Sequence, residues 1–333
     1  MDRDKKLQLR KSVKPYEKSE LQISIIQIIN TLIPYVLLIV TGFLVYDISL
    51  VLSIICGTIG AFFLIRSFII FHDCCHGSFF KDKRANKILG NISGFLTLFP
   101  YEKWRREHIT HHATSGNLDK KGTGDIWMMT IEEYKEATPM QRFMYRAYRH
   151  PFVMFVLGPI YLLFISNRMN AKDAKSKERN NTYIHNVAVI VVYGLLIYLL
   201  GPARFFSVMG PVLFVGGLLG IWLFYIQHTF EDAYFEDETQ WDYVKAAVEG
   251  SSYYRLPKLF QWLTGNIGFH HVHHLSPRIP NYLLEQAHNE TPPLHHATTI
   301  GLKESLKSLK YKLYDEDNKG FITFSEFNRR FAK

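Results

Sequence analysis

Long apolar and polar blocks alternate along this chain, and four of the apolar blocks are long enough to cross a lipid bilayer. A transmembrane helix needs about 20 mostly apolar residues. The pattern predicts spans at roughly 23–46, 48–71, 183–200 and 205–227. The connection within each pair is short and polar: YDIS at 46–49 and GPAR at 201–204. The chain is therefore predicted to form two antiparallel helical hairpins.

A further apolar stretch, residues 151–165, is too short to be assigned as a span. It contains 15 residues, with Gly158 and Pro159 in its middle. A fifth crossing would place the segments before and after it on opposite sides of the membrane. Its length favours a short interfacial or re-entrant helix instead.

Lysine and arginine residues are distributed very unevenly around the predicted spans. The tail through residue 22 carries 7 of them, the segment 72–182 carries 18, and the segment from 228 onward carries 12. The two short connections together contain only Arg204. Because basic loops favour the cytoplasmic side, both termini and the long middle segment are predicted to be cytoplasmic. The predicted organisation is a tail at 1–22, a membrane domain at 23–285 and a second tail at 286–333.

The overall composition indicates which classes of binding partner suit this protein. The net charge is +9, and 47% of the residues are hydrophobic. Such a charge fits anionic lipid, an acidic protein or nucleic acid, but no nucleic-acid-binding motif accompanies it. Three cysteines, at positions 56, 74 and 75, do not indicate a disulfide framework. The first 20 residues are charged and lack an apolar core, so no cleavable signal peptide is predicted.

Eight of the 15 histidines fall in three compact clusters near the ends of predicted spans. HDCCH contains a pair at i and i+4, whereas HITHH and HHVHH each contain a triplet at i, i+3 and i+4. On a helix these spacings place the rings on one face. Eight imidazoles exceed the four ligands of one tetrahedral zinc, so the pattern indicates two metal ions; imidazole suits iron, zinc or copper. The eight are His72, His76, His108, His111, His112, His270, His273 and His274.

Four spans place all three clusters on the same side of the membrane, where they can converge. His271 lies one residue off the predicted ligand face and is placed outside the ligand set. Cys74 and Cys75 also point away from that face and are expected to pack as small apolar residues. The remaining histidines are interpreted as ordinary surface or core residues: His150, His185, His288, His295 and His296.

The histidine clusters and their flanks resemble the membrane fatty-acid desaturases, specifically the acyl-lipid class. The resemblance covers roughly residues 65–285. It rests on HDCCHGSFF (72–80), WRREHITHHATSGNLDKKGTGDIWMMTIEEY (104–134) and GNIGFHHVHHLSPRIPNYLL (265–284). Members of the family often have glycine where this chain has Cys75. The clusters alone are shared by a wider superfamily, and the flanks make the resemblance specific.

The resemblance implies an all-α integral membrane protein with a cytoplasmic helical cap that carries the histidines. It implies two non-haem iron ions, dioxygen as oxidant, and no catalytic side chain beyond the metal site. Family members carry one more histidine upstream of the third cluster, and His228 is the candidate. Neighbouring groups that can orient the ligand rings are Asp73, Asp125, Glu231 and Asn266, with Glu107 and Asp232 as further carboxylates.

The implied reaction removes two hydrogens from an acyl chain to form a cis double bond. The implied substrate is a membrane phospholipid chain in an apolar slot, which we expect the second and fourth spans to enclose. The implied reductant is a separate protein, ferredoxin-like or cytochrome b5-like. Two basic patches, Lys103-Arg105-Arg106 and Lys120-Lys121, are candidates to receive it or to hold lipid headgroups.

Two alternative functions and one possible calcium site remain open at this point. A three-cluster membrane hydroxylase or carotenoid ketolase shares the histidine plan, but the flanks SGNLDKKGTGD and PRIPNY disfavour it. A histidine-rich metal transporter would place polar ligands within the spans, whereas here they lie at span ends. DEDNKGFITFSE (315–326) is similar to a calcium-binding EF-hand loop, although Lys319 stands where an oxygen ligand is required.

Overall fold

The computed structural model describes residues 3–331, and most of its regular structure is helical. The α-helices are α1 Arg3–Val13, α2 Leu21–Leu44, α3 Leu50–His76, α4 Lys83–Thr97, α5 Tyr101–Thr114, α6 Ile131–Glu136, α7 Pro139–Tyr148, α8 Gly158–Phe164, α9 Ser176–Leu200, α10 Pro202–His228, α11 Tyr243–Glu249, α12 Lys258–Leu263, α13 His270–Leu275, α14 Leu284–Asn289, α15 Leu302–Ser305 and α16 Phe324–Phe331. Short 3₁₀ helices cover Lys14–Tyr16, Ser166–Arg168, Asn281–Leu283, Pro292–His296 and Leu306–Lys310, and a π-helix covers Val153–Leu157.

Four of these helices, α2, α3, α9 and α10, are long and apolar enough to cross a membrane. They form the two predicted hairpins, because five residues separate α2 from α3 and a single glycine separates α9 from α10. The side chain of Ser49 accepts a hydrogen bond from Leu52 N–H and begins α3. Gly77 ends α3 in the left-handed conformation, with φ 73°. Both C-terminal ends, His76 and His228, therefore lie at the same end of the helix bundle.

The third long helix begins at Ser176, earlier than the predicted start at residue 183. Its first turns are polar, but other segments satisfy their side chains. Glu178 pairs with Arg106 at 2.9 Å, and Asn181 donates to Asn91 at 2.7 Å. Hydropathy located only the apolar part of this helix, because its polar turns are stabilised by tertiary contacts.

The stretch 151–165 forms the π-helix and α8, which follow α7 at a bend. The pair Pro139–Tyr148 and Val153–Arg168 is bent by 65°, the geometry of a broken span or a re-entrant loop. Three apolar side chains of α7, Met140, Phe143 and Met144, are exposed. An exposed apolar face of this kind fits the boundary of a bilayer.

Helix α3 lies at the centre of the bundle, between α2 and α10. Gly57 lies so close to α10 that a Cβ there would overlap the carbonyl oxygen of Val208. Ser53 strengthens the same contact, since its hydroxyl lies 2.9 Å from that of Ser207 and donates to Gly42 O at 2.8 Å. Small residues let these helices approach closely where lipid provides no hydrophobic drive.

Strands are few and short, and they lie outside the helix bundle. Parallel β2 (Tyr253–Tyr254) and β3 (Thr299–Ile300) form one pair. In a second sheet, β1 (Met129–Thr130) pairs in parallel with β4 (Leu313–Asp315), which pairs antiparallel with β5 (Gly320–Ile322). The C-terminal segment is thus packed onto the body of the protein, with Leu313 and Tyr314 fully buried.

The EF-hand-like segment adopts a different structure from a calcium loop. Residues 313–322 form the β4–β5 hairpin, without the helix that enters an EF-hand loop. The carboxylate of Asp315 accepts hydrogen bonds from the backbone of Asp317 and Asn318 and pairs with Arg330 at 2.7 Å. An arginine therefore neutralises the first acidic position of the motif.

The close contact between α3 and α10 predicts that Gly57→Ala lowers the free energy of unfolding by about 1–3 kcal/mol, through overpacking. The added methyl group would overlap backbone, which cannot move aside. Melting of the detergent-purified protein, followed by size-exclusion chromatography after heating, measures the effect. Gly194→Ala in α9 is the control, because a Cβ there meets no atom within 4 Å. Equal melting temperatures for both variants would contradict the prediction.

Candidate metal centre

The structure brings all nine histidines predicted as ligands into two adjacent groups. Within each group the potential ligand atoms all lie within 4.8 Å of one another. The larger group is His72, His76, His108, His112 and His273, and the smaller is His111, His228, His270 and His274. Four helices supply these histidines. The long helices α3 and α10 carry theirs at their C-terminal ends. The short helices α5 and α13 carry the others and belong to the cap, which is the part of the protein outside the four long apolar helices.

Ring nitrogens within each group face one another at short distances. His112 Nε2 lies 3.0 Å from both His108 Nε2 and His273 Nε2. In the other group, His228 Nε2 lies 3.2 Å from His111 Nε2 and 3.0 Å from His270 Nε2. Nitrogens bound to one ion at about 2.0–2.1 Å have similar mutual spacings. The geometry therefore fits ligands that converge on two ions.

Three further nitrogens support this interpretation. The Nε2 atoms of His72, His76 and His274 are buried and have no hydrogen-bond partner among the described residues. An unpaired buried polar atom costs about 1–3 kcal/mol. A bound cation would satisfy all three, so the donor set fits a metal of the kind that imidazole prefers, iron included.

Burial favours the neutral form of five of these rings, and the neutral form is the protonation state that binds metal. Desolvation, reinforced by the neighbouring imidazoles, holds the pKa values of five cap histidines well below the ordinary histidine range. They are His108, His112, His270, His273 and His274.

Two of the carboxylates predicted to support the rings, Asp73 and Asp125, accept hydrogen bonds from histidines of the two groups. His111 Nδ1 donates to Asp125 at 2.5 Å, and His72 Nδ1 donates to Asp73 at 3.1 Å. Burial alone would raise the pKa of Asp125, but the hydrogen bond from His111 lowers it below its usual value. Each contact leaves Nε2 free to face the centre. The Nδ1 atom of His228 donates instead to the Gly250 carbonyl at 3.2 Å.

The glycines of the GTGD sequence position Asp125 next to α5. Gly122 and Gly124 have φ angles of 111° and 76°, which favour glycine. A Cβ on Gly124 would lie 3.0 Å from Glu107 O and 3.2 Å from His111 Cβ. The Gly122 N–H also donates to Asp125 Oδ2 at 3.1 Å. This flank of the second cluster therefore builds the support for His111.

Asn281, in the PRIPNY flank, is a functional candidate that the sequence reasoning missed. Its backbone and side-chain nitrogens both donate to Asp73 Oδ2, at 2.7 and 2.8 Å. Its side-chain oxygen accepts from Gln27 in α2 at 3.0 Å. A hydrogen-bonded chain thus runs from His72 to the first long helix. Gln27 could have been noticed in the sequence, because it is a polar amide side chain within an apolar run.

Other predicted supporting residues bond elsewhere. Glu231 accepts from Tyr311 at 2.8 Å, and Asp232 accepts from Thr298 at 3.3 Å. Asn266 donates to the Asn281 carbonyl at 3.3 Å and adopts a positive φ of 57°. Glu107 lies 4.0 Å from Lys103. Among the described hydrogen bonds, none of these four residues contacts a ring of the two groups.

The two predicted basic patches are largely engaged within the protein. Lys103 is buried and donates to the Ser166 carbonyl, and Arg105 donates to the Cys75 carbonyl. Arg106 pairs with Asp173 and Glu178. Lys120 and Lys121 pair with Glu238 and Glu133, at 2.6 and 2.5 Å. Charge alone could not indicate this pairing, because each acidic partner is remote in sequence or on another segment.

Outside the ligand set, His271 and the two cysteines lie where the sequence indicated. His271 Nε2 is 3.0 Å from His288 Nδ1, away from the centre. Desolvation and His288 lower the pKa of His271 to about 3. Cys74 and Cys75 are buried in an apolar cluster with Phe71 and Phe79.

A cavity of about 570 Å³ opens beside the smaller histidine group. His111, Asp125 and His228 line it, and the neighbouring wall is Phe224 of α10. No described residue of α3 lines it, so the second span does not enclose this space. Most of the rest comes from the loop after α5, from α6 and α7, from the segment after α10, and from the C-terminal hairpin.

The chain belongs to the fatty acid desaturase family, because the family model "Fatty acid desaturase" matches residues 48–301. Together with the four apolar helices, this identifies a membrane oxidoreductase. A fatty acid desaturase of Bacillus subtilis is 55% identical over 320 residues, covering 96% of this chain and 91% of the relative. The sn-1 oleoyl-lipid 12-desaturase of Synechocystis is 26% identical over 80% of this chain and 77% of its own. The chloroplastic omega-6 fatty acid desaturase of Arabidopsis thaliana is 29% identical. This match covers 66% of the present chain and 49% of the relative.

The lowered histidine pKa values predict acid-sensitive folding of the metal-free protein. Above the unfolded value of about 6.5, both states are neutral and no stability is lost. Below it the unfolded state binds protons first, so each buried ring costs up to about 1.4 kcal/mol per pH unit. Chelator-treated protein should therefore melt well below its temperature at about pH 7.5 when measured at about pH 5.5. Identical melting temperatures at the two pH values would contradict the assignment of neutral buried rings.

Proposed function

We propose that this protein is an acyl-lipid desaturase that forms a cis double bond at a centre of two iron ions. The observation that carries the proposal is the convergence of nine imidazoles, seven buried and two half-buried, in two adjacent groups. The family membership supports the reaction, and the presence of two histidine groups supports a centre of two ions. The two groups of five and four ligands would each hold one ion.

The chain's own residues would prepare this centre in three ways. The neutral rings would present Nε2 without first losing a proton. Asp73 and Asp125 would hold the rings of His72 and His111 by accepting from Nδ1. The surrounding apolar side chains would exclude water. When bound, iron would activate dioxygen as the strong oxidant needed for unactivated C–H bonds.

The proposed substrate is an acyl chain of a membrane lipid. Two relatives are named as oleoyl-lipid desaturases, and one part of the cavity beside His111 and His228 is bordered by apolar side chains, among them Trp127, Met128 and Phe235. The exposed apolar face of α7 lies near this cavity, since Gln141 of α7 lines it. A lipid chain could thus enter the cavity from the bilayer boundary.

The proposal includes sidedness and a separate electron donor. The bias of lysine and arginine supports a cytoplasmic location for both termini, the tails 1–22 and 286–333, and the histidine cap of the 23–285 membrane domain. A ferredoxin-like or cytochrome b5-like protein would supply electrons. Because the two basic patches already pair internally, we expect its docking surface to use other residues.

The reaction class is tested by analysing the lipids of a host that expresses the protein. Wild-type protein should add cis-unsaturated acyl chains, located by derivatisation and mass spectrometry. His111→Ala should abolish them, because it removes a ring from the smaller group. Hydroxylated or ketolated products would overturn desaturation in favour of the rival membrane oxygenases. An active His111→Ala variant would overturn the role of the centre.

Iron retention tests the role of Asp125. Asp125→Asn should weaken metal binding by about 10–100-fold, because it loses the charged acceptor that orients His111. The measurement is iron per protein after a graded chelator challenge, by inductively coupled plasma mass spectrometry. Glu231→Gln is the matched control, since Glu231 bonds to Tyr311 instead. Equal iron loss in both variants would contradict a specific role for Asp125.

A further inference from the structure

The cavity beside the smaller histidine group has one wall that the family match does not include. Phe321, in β5 of the C-terminal hairpin, lines the cavity together with Phe235 and Met128. The matched family region ends at residue 301, so the hairpin lies beyond it. Nothing in the family match therefore assigns a role to this wall.

Three hydrogen-bonded contacts hold the hairpin, and the residues just before it, against the wall of the cavity. Its first strand pairs with β1, Met129 opposite Leu313, directly beside the lining residue Met128. The N–H of Phe321 donates to the Glu231 carbonyl at 2.7 Å, just beyond α10. Arg149, a fully buried lining residue, donates to the Tyr311 carbonyl at 2.8 Å. The wall is thus a fixed surface with little freedom to yield to a bound chain.

The cavity is polar and exposed at one part and apolar and buried at another. Exposed polar side chains that line it include Glu133, Glu136 and Gln141. Phe321 and Met128 are only 4% and 7% exposed, and the Phe235 ring meets the Phe321 ring edge-on at 5.7 Å between centroids. An amphiphile with one polar and one apolar end would place its apolar end against these side chains.

We propose that Phe321 is a specificity-determining residue, whose ring limits how far an acyl chain enters the cavity and so fixes which carbons lie beside His111 and His228. This inference rests on the proposed function. The ligand is a long acyl chain, with its methyl end at the aromatic wall and its ester at the polar part. Removing the ring lets the chain move deeper, so carbons nearer the ester come to lie beside the histidines.

The hairpin supplies its own matched control. Ile322 follows Phe321 and is equally buried, at 5% exposed. Its side chain packs on the opposite face of the hairpin, with Ile131, Tyr134 and Phe327. Phe321→Ala and Ile322→Ala both remove buried contacts from the same strand. Only the first alters the wall of the cavity.

The test is the position of the double bond in acyl chains made by full-length wild-type and variant proteins in the same host. Phe321→Ala should give isomers with the bond about one to three carbons nearer the carboxyl end, or products from longer chains, as expected for a longer apolar cavity. Ile322→Ala should change the yield but not the position. If Phe321→Ala makes no product, the milder Phe321→Leu variant decides by the same measurement.

An unchanged bond position and chain length in every active Phe321 variant would overturn the proposal. An equal shift in Ile322→Ala would do the same, since it would assign the effect to loosening of the hairpin. Failure of the wild-type protein to desaturate any chain would instead count against the proposed function. The two failures are therefore distinguishable.

Discussion

The convergence of nine imidazole rings into two adjacent groups is the constraint on which the rest of this protein depends. Each ring has to remain neutral, keep a defined orientation and point at a shared space. For the five cap rings whose pKa values are lowered, burial favours the neutral form, because the charged form is costly where water is excluded. Acceptors such as Asp73, Asp125 and Gly250 fix the orientation. The packing of α3 against α10 brings the chain segments together, since both helices end in ring-bearing residues.

Much of this arrangement could be predicted from local sequence. Four apolar blocks and two short connections gave the hairpins, because the bilayer sets the length of a span. The spacing of the histidines predicted that the rings of each cluster lie on one face of a helix, because 3.6 residues complete a turn. His228 depended on the family resemblance rather than on spacing. The start of α9 was missed, since Glu178 and Asn181 are stabilised by residues about 70–90 positions away, a tertiary effect that hydropathy does not register.

The supporting contacts from remote residues, and the cavity, could not be predicted from the sequence for the same reason. Asp73 and Asp125 adjoin their rings in the chain or in the next loop, so proximity predicted them correctly. Glu231 is close to His228 in sequence, but its side chain bonds to Tyr311. Asn281 is 208 residues from Asp73, and only the folded chain shows that it holds this carboxylate. The cavity wall likewise joins a loop near residue 128 to a hairpin near residue 321.

The distance along the chain between the histidines of one group also sets the order in which the protein can assemble. His112 and His273 are 161 residues apart, yet their ring nitrogens lie 3.0 Å apart. Neither group is complete until the segment containing α13 has been synthesised, which is after all four apolar helices. Contacts this remote in sequence form late, because closing the intervening loop is costly in entropy. Metal ions would therefore bind only after the four apolar helices have been synthesised, and they would link segments that lie far apart in the chain.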